Sequence, residues 1–272
     1  MKDYTHYNDR VNSATAERLL EINRRFYSER GRDFSETRER VQPGVRRILE
    51  SLGGDESILD LGCGSGAFAR ELSRRGHRGQ YLGLDFSAPL LEHARRASYS
   101  LPIRFVQTDL VPRALASSVI DSMLASSTSH DSVPLNIEGW SGGTDLWSVV
   151  ATFAVLHHIP GRDRRKALLA LVRSWLQPGG IFAHSNWQFS ASPRLQTRIQ
   201  PWSSVGLEAH ELEDGDYLMD WRRGGRGLRY VHEFREDELA DLASESGFVV
   251  AETFFSDGED RKSGLYQLWR PA

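Results

Sequence analysis

The fold of this chain is decided by Ser57-Ile58-Leu59-Asp60-Leu61-Gly62-Cys63-Gly64-Ser65-Gly66. The apolar run from Ile58 to Leu61 reads as a buried strand, and three glycines follow at alternate positions. Ala67-Phe68-Ala69-Arg70-Glu71-Leu72 then has the look of a helix. Strand, glycine turn and helix in that order make a ligand cradle. Glycine lets the backbone take positive φ or come close to a ligand, and the first turn of the helix offers free N–H groups. The spacing departs from the dinucleotide fingerprint G-x-G-x-x-G, because the position five after Gly62 is Ala67. The pattern is D-x-G-x-G-x-G, and a carboxylate inside the strand end, at Asp60, suits an ammonium group better than a pyrophosphate.

Two further acids end apolar runs. Gln80-Tyr81-Leu82-Gly83-Leu84-Asp85 puts a carboxylate where it can accept both hydroxyls of a ribose, with Phe86 beside it to pack on a base. Asp85 before Ser87-Ala88-Pro89 also reads in part as a helix cap. Ile103-Arg104-Phe105-Val106-Gln107 leads to Thr108-Asp109-Leu110. The glycine turn and the acids at three successive strand ends resemble the class I (Rossmann-like) S-adenosylmethionine-dependent methyltransferases. That resemblance implies S-adenosyl-L-methionine as cofactor, held by Asp60, Gly62, Cys63, Gly64, Gly66, Asp85, Phe86, Thr108, Asp109, Leu110, Phe153 and Ala154. It puts Asp109 at the adenine amino group. Cys63 reads as a small residue fitting the turn rather than as a nucleophile.

Chain-wide properties narrow the class. At 272 residues the chain can bury a full core, and a net charge of −3 argues against a generally basic nucleic-acid binder. Its basic residues are nearly all arginine, whose planar fork suits carboxylate or phosphate. One cysteine forms no internal disulfide, and no cysteine and histidine spacing suggests zinc, so no metal is expected. No apolar run reaches membrane-span length, and the polar start Met1-Lys2-Asp3-Tyr4-Thr5-His6 is no signal peptide. The expected protein is cytoplasmic, with no membrane association.

The expected architecture is α/β, a Rossmann-like seven-stranded, mostly parallel sheet with helices on both faces. Residues 1–52 are expected to form a helical preface or lid: a helix over Ala14–Arg30, then one opened by Pro43. Residues 53–272 form the methyltransferase domain. Strands are expected at 57–61, 80–85, 103–107, 145–151 and 181–188, and an antiparallel pair at Phe248–Phe254 and Leu265–Arg270 closes the chain. Two insertions interrupt this rhythm. Ser- and Gly-rich residues 112–143 are expected to form a flexible insertion, and 189–234, irregular and rich in aromatics and arginine, to build the substrate side. The segment after the fourth strand, Thr152 to Pro160, should meet the transferred methyl, with His157 and His158 as base, positioner or neither.

Two segments resemble a narrower group, the tRNA wobble-uridine methyltransferases that esterify a carboxymethyl group on the base. They are Phe34-Ser35-Glu36-Thr37-Arg38 with Pro43, and Pro201-Trp202 with Arg229-Tyr230-Val231-His232-Glu233-Phe234. Val231 replaces that group's second tyrosine, and Val41-Gln42 replaces its aromatic before the proline. The resemblance implies O-methylation of a carboxylate, with Arg229, Tyr230, His232 and Arg38 orienting the acceptor, and a small activating protein partner in some members. Two alternatives stay open at this point. One is a small-molecule O- or N-methyltransferase using His157 or His232 as base, which the acidic composition favours. The other is a non-catalytic cofactor-binding regulator.

Overall fold

The computed structural model describes residues 11–36, 40–110 and 146–272. The 112–143 insertion and Arg38 lie outside the described residues. Seven strands form one sheet in the order β3-β2-β1-β4-β5-β10-β9. They are β1 (Ile58–Leu61), β2 (Tyr81–Asp85), β3 (Ile103–Gln107), β4 (Trp147–Phe153), β5 (Leu176–Trp187), β9 (Phe248–Ser256) and β10 (Gly264–Pro271). The first five are parallel, and β10 runs antiparallel between β5 and β9. The order turns back on itself at β1, with β2 on one side and β4 on the other, which opens the crevice where ligands sit in such sheets.

Every residue of β1 and β2 is buried, as strands covered on both faces must be. Alternate side chains feed two cores. On one face Leu59, Leu61, Val150, Phe182 and Trp269 pack with the helices Arg162–Trp175 and Glu236–Glu245. On the other, Ile58, Tyr81, Val149 and Tyr266 pack with α2 (Pro43–Glu50) and α3 (Ala67–Arg74).

Three elements differ from the sequence expectation. Helix α1 runs Ser13–Glu36, past the expected end at Arg30. Gly31 is a helix interior residue here, because a Cβ on it would lie 3.3 Å from Ser87 Oγ, so the bare backbone lets α1 pass the start of α4 (Ala88–Arg95). Strand β5 begins at Leu176 rather than Ile181: Trp147 pairs with Leu176, Val149 with Ile181, and the register shift between them absorbs the glycine turn. The substrate-side insertion is more regular than expected. Its β6 (Ile199–Gln200), β7 (Asp216–Trp221) and β8 (Gly227–His232) form a second, antiparallel sheet.

The preface lies over the crevice. Helix α2 opens on Pro43, buries Val45, Ile48 and Leu49, and is tied to the β9–β10 turn by Asp257, which accepts from Gly44 N at 3.0 Å and from Tyr266 Oη at 2.5 Å. Gly44 sits on the Tyr266 ring, where an added Cβ would lie 2.2 Å from Cε2. Gly44→Ala should therefore lower stability by about 1–3 kcal/mol. Urea denaturation would show this as a lower midpoint at unchanged slope.

Candidate functional site

A cavity of about 470 Å³ opens at the carboxyl ends of β1, β2, β4 and β5, roofed by α1 and α2 and bounded by β8 and the β9–β10 turn. Its floor is the glycine turn. Gly62, Gly64 and Gly66 take φ of 78°, 54° and 77°, in the left-handed region that favours glycine. Leu84 O accepts from Gly62 N at 2.7 Å and Cys63 N at 3.0 Å, and Asp85 Oδ2 accepts from Gly64 N at 2.8 Å. A Cβ on Gly62 would stand 2.3 Å from Val155 Cγ2, whereas one on Gly64 would meet nothing within 4 Å. Gly66 packs against Ala94 and Tyr99 instead and is not on the cavity wall.

Asp60 and Asp85 both line the cavity and are 2 % and 6 % exposed. Burial pushes Asp60 up to about 7 against the opposing hydrogen bond from Tyr81 Oη at 2.5 Å, and the Asp85 charge adds to the rise. Burial likewise pushes Asp85 up to about 6, against N–H bonds from Ser87, Gly64 and Phe86. Asp85 thus does both things read from the sequence: Oδ1 accepts from Ser87 N at 2.8 Å, and the carboxylate still faces the cavity. Among the described residues neither acid forms an ion pair. Burial also pushes the Cys63 thiol well up, which removes it as a nucleophile.

Phe86, Leu110, Phe153 and Ala154 line the same cavity. Ala154 has φ of 59°, a conformation costing about 1–3 kcal/mol, held by its N–H on Ser185 O at 3.0 Å and Ser185 Oγ at 3.1 Å. Thr108 is not on the cavity wall; its N–H donates to Asp85 O at 2.9 Å. Asp109 is on the wall but already gripped from α1: Arg24 donates to Asp109 Oδ2 from Nη2 at 2.8 Å and Nε at 3.1 Å.

The four described acceptor-side residues divide. Arg229 reaches the cavity, 6 % exposed, its guanidinium carbon 5.0, 5.4, 5.5 and 5.6 Å from the ring centres of Phe26, Trp187, Trp221 and Phe34. His157 also lines it; its Nδ1 accepts from Trp187 N at 3.2 Å, so the neutral ring carries its hydrogen on Nε2. That tautomer makes His157 a donor toward a ligand rather than a base.

Tyr230 and His232 are corrected by the structure, for they sit away from the cavity in a buried ionic cluster. Tyr230 Oη donates to Asp216 Oδ1 at 2.8 Å, and His232 bridges Asp216 at 2.7 Å and Glu238 at 2.9 Å. Arg165, 1 % exposed, pairs with Glu213 at 2.9 Å and lies 3.7 Å from Glu238 and 3.9 Å from Asp216. Burial and Arg165 push His232 down, but its bonds to Asp216 and Glu238 outweigh them and its pKa is raised. Glu213, Asp216 and His232 would bring three ligand atoms within 4.8 Å of one another, yet the cation among them is already Arg165. The cluster joins the small sheet to the main domain, and removing one partner from such a buried set costs about 3–5 kcal/mol.

Tyr27, expected on the apolar face of the first helix, and His158, expected with His157 as base, positioner or neither, both line the cavity and bond each other at 2.9 Å. The adjacent pair His157-His158 was the signal for one; nothing local marks Tyr27, which has the spacing of a core residue.

A family model described as a methyltransferase domain matches residues 34–253. The chain belongs to the methyltransferase-domain family. A protein of Encephalitozoon cuniculi named as a methyltransferase is 27 % identical over 83 % of this chain and 86 % of its own length. The human protein named probable tRNA methyltransferase 9B is 23 % identical over 70 % of this chain, which spans only 31 % of that relative. Among solved structures, a DhpI–SAM–HEP complex superposes with TM-score 0.59 at 21 % identity, covering 93 % of this chain and 98 % of that one. The CcbJ methyltransferase from Streptomyces caelestis superposes with TM-score 0.55 at 19 % identity, covering 84 % and 94 %. These structures share the fold, that of the class I methyltransferases.

The cofactor of this class is S-adenosylmethionine, and the residues present fit it. Two buried carboxylates without a cation partner among the described residues, beside a turn whose central glycine is open to the cavity, match a ligand that brings an ammonium and ribose hydroxyls. Because Asp60 takes a proton below about 7, affinity for S-adenosylmethionine should weaken as pH falls through that value, by up to about ten-fold per unit. Calorimetric titration from about pH 8 to 5.5 checks this; a flat affinity would remove Asp60 from the ammonium.

Proposed function

We propose that this methyltransferase esterifies a carboxylate, and that its acceptor is the carboxymethyl-type modified wobble uridine of tRNA. The observation that carries the reading is the Arg229 guanidinium, a cation stripped of water inside four aromatic rings and set on the cavity wall. Such a cation favours an anionic ligand, and arginine binds carboxylate with two parallel hydrogen bonds. Phe34 and Arg229, from the two separate segments that resemble the wobble-uridine group, meet here. The similarity to probable tRNA methyltransferase 9B supports a tRNA acceptor.

In this reading Asp60 receives the cofactor's ammonium, Asp85 its ribose, and Phe86, Asp109 and Leu110 its adenine; Cys63 supplies turn backbone, and Phe153 and Ala154 shape the wall near the reacting centre. The cofactor supplies an electrophilic methyl on sulfur. A carboxylate with a pKa near 4 is already ionised at neutral pH, so no general base is required. Positioning is the protein's main task, and ideal alignment lowers a barrier by roughly 7–11 kcal/mol. His157 donates from Nε2 and Arg229 grips the carboxylate.

The net charge of −3 favours the second reading, a small-molecule acceptor. Tritium transfer from labelled S-adenosylmethionine to bulk tRNA, against a protein-free metabolite extract, separates the two. The account expects label in tRNA that mild alkali releases, and expects Arg229→Ala to keep cofactor affinity while lowering turnover by ten-fold or more. Label confined to the extract would overturn the tRNA acceptor, and label resistant to alkali would overturn the ester.

A further inference from the structure

Resting on the carboxylate reading, we infer that Tyr27 and His158 form the second arm of the acceptor clamp, a phenol–imidazole pair that takes up one proton as the carboxylate binds. The tautomer follows from the partners. His158 Nδ1 lies 2.9 Å from Tyr230 O, a group that only accepts, so Nδ1 carries hydrogen. Asn23 fixes the same strand backbone, accepting from Tyr230 N at 2.8 Å and donating to Tyr230 O at 3.1 Å. In the neutral ring, Nε2 is therefore the acceptor, and Tyr27 Oη, 2.9 Å away, donates to it.

Both side chains line the cavity beside Arg229. Tyr27 packs edge-on against Phe26 at 5.0 Å and Phe34 at 5.3 Å, two of the rings that enclose the Arg229 guanidinium. Tyr27 and Arg229 thus share the ring walls of Phe26 and Phe34 and line one cavity. Among the described residues, the ionisable groups near His158 include Tyr27 from α1, its neighbour His157 at 4.3 Å between ring centres, and Arg229, next to Tyr230 on β8. The Arg24–Asp109 pair lines the same cavity.

A carboxylate can only accept hydrogen bonds. When Tyr27 turns its O–H to such a ligand, its oxygen lone pairs face the lone pair of Nε2, and one proton from solvent on Nε2 removes the conflict. Imidazolium Nε2–H then donates to Oη, and the phenol O–H donates to the carboxylate. Binding of the carboxylate thus draws in the proton, and esterification, by erasing the ligand's charge, lets it go. A hydroxyl or amine acceptor would use the pair in the opposite sense, as a base that receives its proton.

The direction of the pH profile decides between these. The acceptor is bulk tRNA pretreated with mild alkali to free its carboxylates, used with the full chain at saturating S-adenosylmethionine, counting alkali-released label. The clamp requires kcat/KM to fall as rising pH takes the proton from the imidazole. Tyr27→Phe and His158→Asn, the latter keeping a donor for Tyr230 O, should raise KM about ten-fold to a hundred-fold with kcat changed much less, and should flatten that limb. Unchanged calorimetric affinity for S-adenosylmethionine would show both variants folded; if either fails to fold, the wild-type profile decides alone. A kcat/KM that rises through the imidazole range, or is flat there, overturns the clamp while leaving the ester reading intact. Alkali-resistant label, or none in the tRNA, overturns the carboxylate reading and the clamp with it.

Discussion

The rest of the structure depends on two carboxylates held out of water at the ends of neighbouring parallel strands. Asp60 and Asp85 are buried, raised in pKa and, among the described residues, without a cationic partner. Leaving them so costs folding free energy, since burial disfavours the charged form. The chain tolerates this because β1 and β2 are locked by a buried parallel ladder and the glycine turn is bonded to Leu84 O and to Asp85 itself. The site is built before its ligand arrives, with a charge imbalance that a cationic ligand corrects.

The other end of the cavity has the opposite character. There a guanidinium is enclosed by rings from α1 (Phe26 and Phe34), β5 and β7, and the hydrogen-bonding groups nearby come from α1 and from the turn after β4. In the proposed reading the acidic floor takes the methyl donor and the cationic wall the acceptor, which gives the cavity a direction. The small sheet that carries Arg229 is fastened from its far face by the Arg165 cluster, so the strand serves packing with Tyr230 and His232 and the cavity with Arg229. Strand alternation alone accounts for the division of labour.

That division explains what was legible in the sequence. The parallel strands and the glycine turn are local signals: burial of β1 and β2 shows as short apolar runs, and Asp60 and Asp85 stand at or near their ends. Whether Arg229, Tyr230 or His232 faces the cavity depends on which side of β8 is packed. That is settled by Arg165 and Asp216, which no spacing connects to the strand. Tyr27 and His158 lie far apart in sequence and meet only because α1 crosses the sheet beside β8, guided by the bare backbone of Gly31 against Ser87. The substrate-side insertion looked irregular because its strands are short and its turn, Arg222-Arg223-Gly224-Gly225-Arg226, is glycine-rich; pairing of β7 with β8 supplies the order.

The central claim is that the buried Asp60 carboxylate is the receptor for the ammonium of S-adenosylmethionine. The most direct measurement is a calorimetric comparison of S-adenosylmethionine with its analogue lacking the α-amino group, on the wild-type chain and on Asp60→Asn. The account predicts that the wild type favours the amine-bearing ligand by about ten-fold to a hundred-fold and that the substitution removes most of this preference. The same preference in both proteins, or none in the wild type, would contradict it.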